Sequence, residues 1–349
     1  MNEILEAIEK IRNNKGQAVL ATIVAVAGSA YRREGAKMLF LQSGQYKGTL
    51  SAGCLEADLG LRAEQAQKDG QPFVFQYDMT AEDDLTWGRG AGCNGIIDVL
   101  IEPLNWSAQS PATMYWTQVL DALGEGKTVS TLRRLHKEKG PRAGYLMYDG
   151  EAFVNAFGEE VSDTFLTFAK QELVDFHKGK QSSRSLREED ELIYLDRLLP
   201  KERMFVFGAG PDAEPMVDLL AKIGFEVTVV DHRPVRLDQA LFPTAKRLVD
   251  SRPEQAEQRV EVPSGSYALV MTHSFQSDRV WVNFLRAKSL RYLGVLGPRL
   301  RTSRLLEVDE VPDDIHSPVG LNIRADGPDE IAVSVAAELI QLRRAQSAG

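Results

Sequence analysis

The chain has 349 residues, of which 43% are hydrophobic and 26% charged; this is ordinary for a soluble globular protein and more than one hydrophobic core usually organises, so two domains are expected. A formal charge of −9 repels polyanions and argues against nucleic acid as a partner, and two cysteines exclude a disulfide framework and fit a reduced, cytoplasmic protein. The longest uncharged apolar run, Ala18 to Gly28, is too short to span a bilayer, and the opening "MNEILEAIEKIRNN" lacks the basic and apolar regions of a signal peptide.

Ile4, Ile8 and Ile11 carry a helical period at the start. The runs "AVLATIVAVA", "AKMLFL", "QYKGTL", "FVFQYDM" and "GIIDVLIEPL" then read as strands, with one helix from Cys54 to about Lys68 between them. This predicts a mixed α/β domain with antiparallel strands. A less clearly marked stretch follows, with helices near "MYWTQVLDAL" and "DTFLTFAKQELVDF" and strands near "VSTLRRL", "GYLMYD" and "EAFVNAF". The polar, charged "HKGKQSSRSLREEDE" reads as a connecting segment. The expected division is residues 1–180 for the N-terminal domain, 181–200 for a linker and 201–349 for the C-terminal domain.

From residue 201 the pattern changes. "RMFVFGAG", "FEVTVVD", "AKRLVD", "SYALVMTH" and "RYLGVLG" are short apolar runs alternating with helical stretches, which predicts a Rossmann-like, doubly wound parallel sheet. After the first run comes Gly208-x-Gly210-x-x-Ala213, then a helix, a strand and Asp231. Glycines of this kind let the backbone approach a phosphate at a helix N-terminus, and an acid about 20 positions on can take a ribose hydroxyl. On this reading Asp231 favours NAD or another adenosine nucleotide over NADP, although Pro211 supplies no N–H at the turn. The alternative for Asp231 is a strand-end residue capping the next turn.

"THSFQSD" puts His273 after an apolar strand, where the ligand crevice of such a sheet lies, and makes it the best placed of the five histidines. Arg299 follows another strand end and is a candidate to hold an anion. The last helix begins at Gly327 and Pro328 and carries small residues suited to close packing, within the chain or across a homodimer.

Cys54 follows Ser51-Ala52-Gly53 at the start of a helical run, where the helix dipole lowers a thiol's pKa, with Glu56 opposing the shift. Cys93 lies in "WGRGAGCNG", whose glycines, Gly92 among them, free the backbone to curl around an anion while Arg89 adds charge. Both cysteines also suit the commoner role of small buried residues.

The segments "LATIVAVAGSAYRREGAKMLF…GTLSAGCLE", "GCNGIIDVLIEP", "VFGAGPDAEPMVDLLAKIGFEVTVVDHRP", "VMTHSFQSD", "YLGVLGPRLR" and "PVGLNIRADGPDEIAVSVAAELI" stand in the order typical of the xanthine dehydrogenase accessory family, XdhC/CoxI, which the chain resembles over roughly 16–103 and 201–344. The resemblance implies an accessory chaperone that binds the molybdenum cofactor, shelters it while a cysteine desulfurase supplies its sulfido ligand, and delivers it to a xanthine dehydrogenase-type hydroxylase. It implies cofactor contact at Cys93, reaching the molybdenum, with Cys54 second and Arg89, Gly92 and Gly53 beside them. The Gly208, Gly210 and Ala213 turn, with Asp231, His273 and Arg299, completes the expected binding set. Two rival readings stand beside it: an NAD-dependent oxidoreductase using Asp231 and His273, and a nucleotide- or redox-sensing regulator.

Overall fold

The thirteen-residue run Gln17–Ser29 (β1) is buried along most of its length, and the first sheet is ordered around it. The computed structural model describes residues 2–51, 53, 55–80, 94–108, 110–136, 140–157, 161–188 and 191–348. They form two units that divide between Pro200 and Lys201.

In the first unit, β1 pairs on one side with β2 (Lys37–Leu41), which carries β3 (Tyr46–Gly48), and on the other with β5 (Asn94–Asn105), which carries β4 (Phe73–Asp78); every pairing is antiparallel. Alternation along β1 decides what each face meets. Val19, Ala21 and Ile23 pack on Leu59, Ala63 and Ala66 of α2 (Glu56–Asp69), whereas Ala18 and Leu20 face α1 (Asn2–Asn13) and α3 (Pro111–Gly124). The start of α3 is fixed by a reciprocal cap between Ser110 and Thr113, with Pro111 in its first turn.

A second antiparallel sheet has the order β8 (Phe153–Asn155), β7 (Gly140–Tyr148), β6 (Val129–His136), β10 (Glu191–Leu198), β9 (Ser183–Glu188). Its outer face packs Leu132, Leu146, Ile193 and Leu195 on α4 (Asp163–Lys178). Its inner face meets the first sheet through Leu135, Leu192 and Tyr194 against Val24, Ala25 and Leu100. The segment 181–200, expected as a linker, is therefore corrected: it holds β9 and β10, and β10 pairs with β6 along its whole length. The misreading has a physical source. Strand β9 is an edge strand, so its polar side chains can face water, and they mask the buried Leu192–Leu195 run that follows.

Among the described residues, three ion pairs cross between the two sheets. Lys37 Nζ lies 2.6 Å from Asp196 Oδ2 with both side chains almost fully buried; Arg133 grips Glu102 with both guanidinium arms; Arg187 reaches the buried Asp98 at 2.9 Å. In each pair one partner belongs to the first sheet and the other to the second, so the charges fix how the sheets register.

The second unit is a parallel sheet in the order β13 (Arg247–Asp250), β12 (Glu226–Asp231), β11 (Arg203–Phe207), β14 (Tyr267–Val270), β15 (Tyr292–Val295), β16 (Ile315–His316). Alternation along β11 again separates two cores: Met204 and Val206 pack toward α5 (Ala213–Lys222) and α9 (Gly327–Ala348), and Phe205 and Phe207 toward α7 (Phe275–Arg286) and α8 (Arg299–Leu306). This is the doubly wound Rossmann-like arrangement expected, with the strand order reversing between β11 and β14. Among the described residues, no helix is long and apolar enough to cross a membrane.

Truncating one partner of the buried Lys37–Asp196 pair strands the other charge. Asp196→Ala should therefore destabilise the first unit by about 3–5 kcal/mol, while Lys37→Met with Asp196→Leu recovers most of the loss. Hydrogen exchange of the β2 and β10 amides in each variant checks both outcomes.

Candidate functional site

The antiparallel order brings one edge of the first sheet to the carboxyl ends of β1, β3 and β4 and the amino ends of β2 and β5. Three connections leave from this edge: 30–36, 49–55 and the one between Thr80 and Asn94. Cys54, Arg89, Gly92 and Cys93 fall outside the described residues; Ser51, Gly53, Leu55, Thr80 and Asn94 flank them.

The turn before α2 is organised by one carboxylate. Glu56 Oε1 accepts from the Ser51 N–H at 3.0 Å and from Thr49 Oγ1 at 2.9 Å, and Oε2 accepts from Ser51 Oγ. The same Ser51 oxygen then accepts the N–H groups of Gly53 and Leu55 at 3.2 and 3.1 Å. Gly53 has φ 113°, a conformation that favours glycine. Burial raises the Glu56 pKa, but the hydrogen bonds from Ser51 and Thr49 outweigh it and leave the group below the ordinary carboxylate value. In the sequence Glu56 reads only as a charge opposing a helix-start thiol; in the fold that charge is committed to Ser51 and Thr49. Its signal is an acid five positions after Ser51, a spacing that matters only once the turn is closed.

Two further groups at this edge are also engaged. Glu34 Oε1 accepts the Val26 N–H at 3.2 Å, and Asp78 accepts both the N–H and the hydroxyl of Thr80. At Gly95, which follows Cys93-Asn94, a Cβ would sit 2.6 Å from the Ser29 carbonyl oxygen. That glycine is required by the close approach of β5 to β1.

In the second unit the Gly208 turn is equally specific but differently used. Gly208 has φ 116°, and a Cβ there would sit 2.5 Å from the Met271 carbonyl, so the first glycine lets β11 and β14 end side by side. A Cβ at Gly210 would collide with Asp212 Oδ1, and Ala213 is fully buried in the core. The Ala209 N–H donates to Asp231 Oδ2 at 2.7 Å, and Ala209's carbonyl accepts from Arg236 Nε at 2.6 Å. Asp231 also receives the Arg233 N–H and Nε at 2.9 Å and Nη2 at 2.7 Å. Burial works to raise the Asp231 pKa; the Arg233 bonds and the Ala209 N–H reverse this and hold it at about 2.

Asp231 and Thr272 line a cavity of about 360 Å³, and Asp212 and His273 line a separate cavity of about 830 Å³. His273 Nε2 lies 2.7 Å from Asp212 Oδ2, and His273 adopts φ 59°, uncommon for a residue with a side chain. Arg299 lies apart from this pair in its bonding: its Nη2 donates to the Val311 carbonyl at 2.9 Å. The buried Asp278 accepts the Thr272 N–H at 3.1 Å and pairs with Arg301 at 2.7 Å, tying down the loop that carries His273.

Comparison with known proteins decides the family. The XdhC and CoxI family model matches residues 11–78, and the XdhC Rossmann domain model matches 204–339. A Bacillus subtilis protein, named as one of the probable subunits of xanthine dehydrogenase, is 38% identical over 97% of this chain and 96% of its own length. The chain belongs to the XdhC and CoxI family. The Escherichia coli molybdenum cofactor insertion chaperone PaoD is 24% identical over 97% of this chain and 86% of its own length. A crystal structure described as a xanthine dehydrogenase from Bacillus halodurans has a TM-score of 0.78 at 36% identity and covers 98% of this chain and 96% of that one. The XdhC and CoxI match includes the whole Thr49–Glu56 turn, and the XdhC Rossmann match begins inside β11 and ends within α9.

Because the Glu56 pKa is lowered by folding, its contribution is present above the unfolded value and is lost as the pH falls through the folded one. Protection of the Gly53 and Leu55 amides should therefore fall on the acid side of the glutamate range. Glu56→Ala should weaken the turn by about 1–3 kcal/mol at neutral pH, seen as faster exchange of these two amides with the rest of α2 unchanged.

Proposed function

We propose that this protein is an accessory chaperone that binds the molybdenum cofactor as cargo, supports its sulfuration with a cysteine desulfurase, and passes it to a xanthine dehydrogenase-type hydroxylase. The observation that carries this reading is the full-length similarity to XdhC and CoxI family proteins, one relative being named a molybdenum cofactor insertion chaperone. The topology of the first unit supports it: the described residues that flank the cysteine positions, Ser51, Gly53 and Leu55 for one and Thr80 and Asn94 for the other, stand at one sheet edge. On this reading Cys93 is the main cofactor contact and Cys54 the second, with Arg89, Gly92 and Gly53 beside them. A thiolate is a soft ligand suited to a metal that already carries sulfur ligands. The part played by Glu56 and Ser51 is to hold Gly53 and Leu55, the described neighbours of position 54.

The nicotinamide-dependent alternative draws on the Gly208 to Asp231 fingerprint, and the residues there do not fit a dinucleotide. The Ala209 N–H is taken by Asp231, Pro211 has none, and the Asp212 carboxylate stands at the start of α5, where a pyrophosphate would need positive potential. Asp231 itself, the ribose reader of such a site, accepts four hydrogen bonds from Ala209 and Arg233.

Anaerobic loading with molybdenum cofactor followed by gel filtration tests the proposal. Wild type should retain molybdenum and pterin together, Cys93→Ala should lose most of both, and Cys54→Ala should lose less. Calorimetric titration with NAD and with NADH should give no saturable binding. Saturable NAD binding without cofactor retention would reverse the assignment.

A further inference from the structure

The loop between β1 and β2 is held unusually firmly for a surface connection. The Gly35 N–H bonds the Ile23 carbonyl at 2.9 Å, the Ser183 hydroxyl bonds the Glu34 carbonyl at 2.6 Å, and Lys37 Nζ bonds the Gly35 carbonyl at 3.2 Å while paired to the buried Asp196. Glycine is obligatory at 35, where φ is 84° and a Cβ would lie 2.6 Å from Ser183 Oγ. From this fixed base Tyr31, Arg32 and Arg33 project into solvent, Tyr31 with 59% of its surface exposed.

Among the described residues, neither arginine has an ion pair or a side-chain hydrogen bond, although Glu34 follows them directly in the chain. Glu34 is spent on Val26, Glu56 on Thr49 and Ser51, and Asp78 on Thr80. These three described carboxylates are thus satisfied internally while the two guanidiniums remain open, on a chain whose net charge is −9. Guanidiniums on consecutive exposed residues next to an anchored turn suit a dianionic phosphate, which each can bind with two parallel N–H donors, and an exposed tyrosine one position before them offers a face for a planar ring.

We propose that Arg32 and Arg33, with Tyr31, form a binding site for a phosphate monoester carried on a planar heterocycle. This rests on the proposed function, in which the cargo bears such a phosphate, and adds the residues that hold it. The loop acts by binding and orienting the phosphate at the same sheet edge as the Ser51–Glu56 turn.

The test uses the full chain, wild type against Arg32→Gln/Arg33→Gln, with molybdenum cofactor and inorganic phosphate as separate probes. Both substituted side chains are exposed, so the urea midpoint should be unchanged and serves as the folding control. The double variant should bind the cofactor at least about tenfold more weakly, and its affinity should depend less on salt. Inorganic phosphate should compete with cofactor on wild type and should broaden its own ³¹P resonance there, with both effects lost in the variant. Equal cofactor affinity and equal phosphate competition in the two proteins would overturn the site and leave the chaperone reading standing. If wild type binds no cofactor, the chaperone reading falls, and the ³¹P comparison still decides whether the arginines bind phosphate. Loss of hydroxylase docking with unchanged binding of both probes would assign the pair to an acidic protein surface and contradict the proposal.

Discussion

Lys37 is a cation buried between two antiparallel sheets, with Asp196 of the opposite sheet 2.6 Å away to neutralise it. Much of the first unit depends on that constraint. An isolated ammonium there would be too costly to bury, so β2 of one sheet and β10 of the other are held in a single register. The same ammonium bonds the Gly35 carbonyl, so the demand for charge balance in the interior also fixes the loop that carries Arg32 and Arg33 outside. Glu102 with Arg133 and Asp98 with Arg187 repeat the device along the interface.

The two units treat their carboxylates alike. In the first, Glu56 is turned inward to build the turn before α2. In the second, Asp231 is turned inward to bond the Ala209 N–H and the Arg233 side chain. The acid at the end of β12 is thereby tied to the glycine turn and to Arg233. The open cavity next to the turn holds the Asp212–His273 pair instead.

Most strands were legible because burial on one or both faces leaves a period or a run in the sequence, as along β1 and β11. The parallel sheet was clearest, since its short apolar strands alternate with amphipathic helices and end at glycines. Strands β9 and β10 were not legible: an edge strand facing water has no apolar period, and Leu192–Leu195 was read as part of its polar neighbourhood. For the candidate site, the backbone turn at Gly208 and the place of His273 after β14 followed from motif position. The partners that change their meaning did not. That Arg233 covers Asp231, that Arg299 bonds a carbonyl, and that Glu56 builds a turn are contacts of side-chain geometry, which no spacing rule carries.

The proposed function puts cargo at the edge of the first sheet and none at the Gly208 turn. Hydrogen exchange of the full chain, with and without molybdenum cofactor under anaerobic conditions, tests it most directly. The account predicts slowed exchange in peptides covering 30–36 and 49–56, with the 207–214 turn unchanged. Protection confined to 207–214 and the region of Asp231, with the sheet edge unaffected, would contradict it.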